Sequence, residues 1–351
     1  MPRDCKSRGA LSAAMLSCLR REDDRLIVIS FYMKYLLIPA LAMLLYGCES
    51  RKNSRSGSPY LEVIREAGAA SEDFWVRVHA IEFLTELGDT EAALRLAEGC
   101  REFETEPQKR IGYWRMKYRL SVPSEKQVWL DRILASYLDR EGPDRIHAAE
   151  TLAKLAYPLR KADSSLTAQD LRSGGPIAAF VKWGMALPAD PASGVDFDML
   201  LEAVEDTASL ERRIAAYAIT FLDPLPEAYR MRLFAAAEAE NENSEALPYL
   251  LHAAVIQDSA GSDQAERLKA RLRRMAEAPG KSARIALCKA LAGRCDKEDE
   301  ALLQQVFSLR NPVPEDEDPA AGEIGPANQD VKIAAAFALE KSGIIIEKQP
   351  K

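Results

Sequence analysis

The chain has 351 residues, a formal net charge of −7, and 47% hydrophobic, 7% aromatic and 29% charged residues. The hydrophobic fraction excludes wholesale disorder, the charged fraction excludes a polytopic membrane protein, and the acidic balance argues against nucleic acid as the main partner. Six cysteines are too few for a disulfide scaffold of this length. Taken in chain order, residues 1–32 carry Arg20-Arg21-Glu22-Asp23-Asp24-Arg25, a charge mixture that suits no export signal. Translation is therefore expected to start at Met33, with 1–32 a mis-assigned extension. Met33-Lys34 supplies a short positive start, Leu36 to Leu45 an unbroken apolar run of ten, and Gly47 a small residue before Cys48. This is the layout of a secretory signal over 33–47, too short to span ~30 Å of hydrocarbon as a helix.

The ending Leu45-Tyr46-Gly47-Cys48 resembles a bacterial lipobox, although Tyr46 is bulkier than the usual Ser, Ala or Thr. The resemblance implies a lipid attached at Cys48, removal of the preceding peptide, and a membrane-anchored lipoprotein of the cell envelope. Glu49 stands where inner-membrane lipoproteins often carry Asp, which implies the outer membrane facing the periplasm, with inner membrane or cell surface as alternatives. One uncleaved membrane helix over 26–47, or an ordinary cysteine after a non-lipid signal, are the competing readings. Residues 48–58, rich in Ser and Arg, read as a flexible tether. Processing at Cys48 leaves 40 basic and 50 acidic residues, a net −10, with Cys100, Cys288 and Cys295 as the remaining unmodified cysteines. Buried single thiols are expected. Cys288 and Cys295 can pair only if a helix breaks near Gly293.

From Pro59 the chain repeats. The phrase Arg77-Val78-His79-Ala80-Ile81-Glu82 returns as Arg145-Ile146-His147-Ala148-Ala149-Glu150, and again around Ile214, Ile285 and Ile333. Weaker copies surround Ile111, Ile177 and Leu251. These branched residues mark a phase of 78, 111, 146, 177, 214, 251, 285 and 333, close to 34 residues apart except for the last interval. Such a period is the mark of stacked repeats. A second helical stretch lies between markers, as at Thr90 to Glu104, Glu125 to Leu138, Pro226 to Glu240, Asp263 to Glu277 and Lys297 to Leu309, with Tyr60 to Ala69 opening the series. Gly88, Gly142-Pro143, Gly174-Gly175-Pro176 and Pro279-Gly280 punctuate them. No segment alternates with period two. The expected fold is all-α, an α-solenoid of about eight antiparallel helix pairs over 59–343, followed by a tail at 344–351.

The marked phrase resembles the second helix of a HEAT repeat, particularly the short HEAT-like type found in bilin lyases; tetratricopeptide repeats share the period but not the motif. Two residues after the marker stands Ala in six of eight repeats, at 80, 148, 179, 216, 253 and 335. Stacking at ~8–10 Å would extend eight pairs into an arch of roughly 80 Å.

Three features carry possible chemistry. The three histidines, His79, His147 and His252, all follow a phase marker, and Glu82 and Glu150 stand three residues after two of them. Deoxyhypusine hydroxylase, a HEAT-like enzyme, builds a di-iron site from adjacent His-Glu dipeptides, which this chain lacks. Along an extended stack the histidines lie roughly 20–50 Å apart and cannot meet at one metal ion. The ladder Arg77, Arg110, Arg145, Arg213, Arg284 and Lys332 precedes the markers. It reads as inter-repeat pairing with acids such as Asp73, Glu106, Glu141 and Asp144, or else as a basic stripe. Residues 311–326 form an acidic loop insertion, solvated or partner-facing, and the four tryptophans read as packing between repeats. No phosphate loop, nucleophile motif or paired zinc spacing is present, so no catalytic residue, cofactor or metal is assigned.

The resemblances together imply a lipid-anchored envelope scaffold binding protein partners, with no nucleic acid. The alternatives are a HEAT-like lyase or modifying enzyme acting on a tetrapyrrole or protein side chain, or a structural envelope element.

Overall fold

The structure, a computed structural model, describes residues 57–188, 196–206, 211–258, 261–310, 312–313 and 325–344. The extension 1–32, the signal segment 33–47, Cys48, most of the acidic loop 311–326 and the tail beyond Ile344 lie outside the described residues. The described residues are all-helical, with sixteen α-helices, three short 3-10 turns and no strand. The odd-numbered helices are α1 (Pro59–Ala70), α3 (Thr90–Glu98), α5 (Pro123–Leu138), α7 (Ser164–Ser173), α9 (Asp198–Glu205), α11 (Glu227–Ala239), α13 (Asp263–Arg273) and α15 (Lys297–Phe307). The even-numbered helices are α2 (Phe74–Glu86), α4 (Lys109–Leu120), α6 (Arg145–Lys154), α8 (Gly175–Ala186), α10 (Arg212–Ile219), α12 (Leu247–Gln257), α14 (Lys281–Leu291) and α16 (Pro326–Lys341). Every phase marker falls on an even-numbered helix. None of the helices is long and apolar enough to cross a membrane.

Local chemistry sets the ends. Asp73 caps α2 by accepting from the backbone N–H groups of Trp75 and Val76 at 2.8 and 3.0 Å. At the other end Gly88 takes φ 82°, a left-handed conformation open to glycine, while the Asp89 N–H donates to the Leu84 carbonyl and closes the helix. Asp296 and Asp299 form a reciprocal capping box on α15. The predicted stretches 90–104 and 263–277 each end early, at Glu98 and Arg273, and finish in 3-10 turns.

Each even-numbered helix packs on the next, from α2 through to α16. The six alanines two places after the marker are fully buried there. Close packing between successive odd-numbered helices is confined, among the described residues, to α1/α3, α9/α11 and α11/α13. Small side chains on one row and looser packing on the other make each pair a wedge.

The expected arch with separated ends is therefore not what forms. Helix α16 packs on α1 and α2, so the contacts run in a closed circuit. Phe337 of α16 stacks on Phe83 of α2 with centroids 4.4 Å apart, worth about 0.5–1.5 kcal/mol beyond its buried area. Ser71 donates to Gln329 at 2.6 Å, and Lys341 pairs with Glu86. The 311–326 insertion joins α15 to α16, and Val313 is tied to the Asn328 side chain by 2.8 Å.

The basic ladder behaves as inter-repeat pairing. Arg110 donates to Asp144 at 2.5 Å, Arg145 to Asp170 at 2.6 Å and Arg213 to Glu245 at 2.9 Å, each reaching the following repeat. Arg77 and Arg284 bond to carbonyls of Gly99 and Ala278, and Lys332 lies over the Phe307 ring. Asp73 and Glu106 serve elsewhere, as a cap and as the partner of Lys109. Cys100, Cys288 and Cys295 are free thiols. Helix α14 does end at Leu291 before a left-handed Gly293, yet Cys295 hydrogen-bonds to the Leu291 carbonyl and accepts from Ser342.

Candidate functional site: a polar cavity inside the helix circuit

On an α-helix, positions one, four and eight beyond the marker fall on one face. In the circuit this face of α2, α4, α6, α14 and α16 turns inward. It supplies His79, Glu82 and Glu86 from α2, Arg115 and Arg119 from α4, and His147, Glu150 and Lys154 from α6. Lys289 comes from α14, and Phe337 and Lys341 from α16. Two adjoining cavities of about 320 and 310 Å³ are lined by these residues and share His79 and Lys154.

Charges on this wall are closely matched near α4. The Arg115 guanidinium, 4% exposed, donates to Glu82 at 2.7 Å and to the Thr151 hydroxyl at 3.2 Å. Arg119 donates to the same Glu82 oxygen at 3.1 Å. Burial works against an ionised Glu82, but Arg115, Arg119 and Lys154 outweigh it and hold the carboxyl far below its ordinary range. Lys154 pairs with Glu150 at 2.6 Å and sits over the Tyr217 ring, 5.3 Å from its centroid. Burial raises the Glu150 carboxyl and Lys154 and Arg115 lower it, with a net shift downward.

The histidines are not spread roughly 20–50 Å apart along an extended stack, as expected from repeat spacing, but share cavity walls. His79 and His147 line the first cavity, His79 and His252 the second. The reason is closure: repeat spacing gives a path length, and a closed circuit brings distant points of that path face to face. His79 Nδ1 lies 2.7 Å from Asp330 Oδ1. His147 stacks on Trp75 with ring centroids 5.7 Å apart and planes at 21°. His252 is 7% exposed, and burial followed by the charges of Lys289 and Arg294 pushes its pKa down to about 3, so its imidazole is neutral. Glu82 and Glu150 bind cations instead of joining their histidines. No group of three His, Cys, Asp or Glu that could hold a metal is present among the described residues.

Trp75 is likewise more than inter-repeat packing, because it lines the first cavity. The sequence reading passed over Arg115, Arg119, Lys154, Lys289 and Lys341. Their signal is in the sequence: charges recur four or eight places after the marker and so fall on one helix face.

No protein-family model and no curated protein matches the chain. A partly enclosed cavity with fixed charges, neutral imidazole and aromatic faces is suited to binding. Among the described residues, its walls carry no Ser or Cys nucleophile.

Proposed function

We propose that this protein is a HEAT-like helical-repeat scaffold, tethered to a bacterial cell envelope by a lipid on Cys48, that works by binding protein partners. The observation that carries the repeat assignment is register: eight markers fall on eight alternate helices, and the six alanines in the same slot are all fully buried. HEAT-like stacking accounts for that register and for the Arg110–Asp144, Arg145–Asp170 and Arg213–Glu245 pairs between repeats. Because the contacts close on themselves, partners are expected at the outer helices and loops rather than along a long open groove. The anchor rests on the 33–48 segment of the sequence, and the outer membrane facing the periplasm is the proposed location.

Cells fed a labelled fatty acid should incorporate it into the wild-type chain and not into Cys48→Ala. Equal labelling ends the anchor reading. Crosslinking on intact cells followed by mass spectrometry should recover a protein partner reproducibly, and recovery of none counts against the scaffold.

A second reading, a HEAT-like modifying enzyme or lyase, gains one specific observation: the polar groups of separate repeats converge on the interior. Turnover of a tetrapyrrole or a protein side chain that depends on Glu82 or Lys154 would favour it over the scaffold.

A further inference from the structure

The second cavity has a charge balance unlike its neighbour. The carboxylates Glu82 and Glu86 and the cations Arg119, Lys154, Lys289, Arg294 and Lys341 line it, an excess of three positive charges in an acidic chain. Most of these cations are already committed. Arg119 shares Glu82 with Arg115, Lys154 holds Glu150, and Lys341 holds Glu86. Two make no ion pair among the described residues, although Lys289 also acts at longer range on the Asp330 carboxyl. Lys289 rests over the Phe83 ring at 5.6 Å, and Arg294, exposed at the cavity mouth, donates to the Val255 and Ile256 carbonyls and to no carboxylate.

The same cavity wall carries an unpartnered polar group. His252 is nine-tenths buried, lines the cavity, and makes no hydrogen bond among the described residues. The cavity also has an apolar, partly uncovered part: Phe221 is 45% exposed, a large aromatic surface, edge-on to Tyr217 at 5.0 Å. Positive charge in a cavity focuses an anion, and the uncovered Phe221 surface beside it favours an organic body over an inorganic ion. At about 310 Å³ the space suits a small molecule and excludes a folded chain.

We propose that this cavity binds a small organic anion, its carboxylate or phosphate held by Lys289 and Arg294 and its apolar body laid against Tyr217 and Phe221. This goes beyond the scaffold reading and does not depend on the lipid anchor.

The test uses the full chain, kept unlipidated by Cys48→Ala, in isothermal titration with 1-naphthyl phosphate, 1-naphthoate and neutral 1-naphthol. One anion should bind at one equivalent, and naphthol should bind at least about tenfold more weakly. Whichever anion binds more tightly identifies the head group. Lys289→Gln removes a half-buried charge that makes no ion pair and is the least of the three cations acting on Asp330, so the fold should persist while anion affinity falls about tenfold. Phe221→Ser should weaken both anions, and Lys126→Gln on α5 should weaken neither. Absence of saturable anion binding, equal affinity for naphthol, or unchanged affinity in Lys289→Gln overturns the proposal.

Discussion

His79 in the first repeat and Asp330 in the eighth meet at 2.7 Å although 251 residues separate them in sequence. Burial raises the Asp330 carboxyl, but His79, Lys281 and Lys289 outweigh it, and the net shift is downward. A carboxyl depressed in the fold contributes stability above its unfolded pKa, and that contribution disappears as pH falls through the folded value. Asp330→Asn keeps the shape and removes the charge, and should cost about 1–3 kcal/mol in urea unfolding at pH 7. A double-mutant cycle with His79→Gln checks that the pair is the cause. Strict additivity of the two changes would show that the contact does not hold the circuit closed.

Glu82 is the counter-charge for two guanidinium groups, one of them almost fully buried. Removing one member of a buried pair leaves the other uncompensated, a cost of about 3–5 kcal/mol. Glu82→Gln should therefore destabilise far more than Glu86→Gln, whose partner Lys341 is 40% exposed. Urea midpoints compare them directly. Similar losses for the two variants would mean that the Arg115 site relaxes to water.

His252 gives a pH dependence in a window where carboxylates are silent. Its folded pKa of about 3 lies below the ordinary histidine value of 6.5. The unfolded chain therefore binds the extra proton first, and stability falls as pH drops below 6.5. Lys289 and Arg294 face the ring and oppose its protonation. Between pH 7 and pH 5 the loss should be about 2 kcal/mol, and His252→Gln should abolish that share of it. Measured unfolding free energies with the same pH slope in both proteins would remove His252 as the source.

How much of this was legible depended on the range of the interaction. Ala80, Ala148 and Ala216 announced close-packed helices because a repeated small residue is a local signal read against a fixed period. The ladder and Asp144 as one of its acidic candidates were legible from the recurring Arg and the loop acids, but which Arg meets which acid, as Arg110 meets Asp144, was not. Nor was closure. The turn per repeat depends on packing differences between inner and outer rows, such as those that bring Phe83 onto Phe337, and no single repeat records their sum. The separation that repeat spacing implies for His79, His147 and His252 assumes open ends, and closure shortens it. Lys289 and Arg294 went unremarked because an isolated charge on a helix ordinarily faces solvent.

Gly112 occupies the histidine slot in the second repeat and opens the space for the Trp75–His147 stack. A Cβ there would stand 3.0 Å from Trp75 and 3.1 Å from Phe74. Phe74 is buried and backed by Phe103 at 4.6 Å between centroids, so it cannot withdraw. In an open helix, Gly→Ala gains about 1 kcal/mol. Here the contact should cancel that gain, and Gly112→Val should cost about 1–3 kcal/mol through overpacking. The displaced Trp75 ring should also release His147. With only three histidines in the chain, their ring protons can be assigned by His79→Gln, His147→Gln and His252→Gln. The His147 protons should sit upfield in the wild type, under the Trp75 ring current, and move to ordinary positions in Gly112→Val. An unshifted His147 in the wild-type spectrum would mean the stack is not populated in solution, and the slot would then be glycine for some other reason.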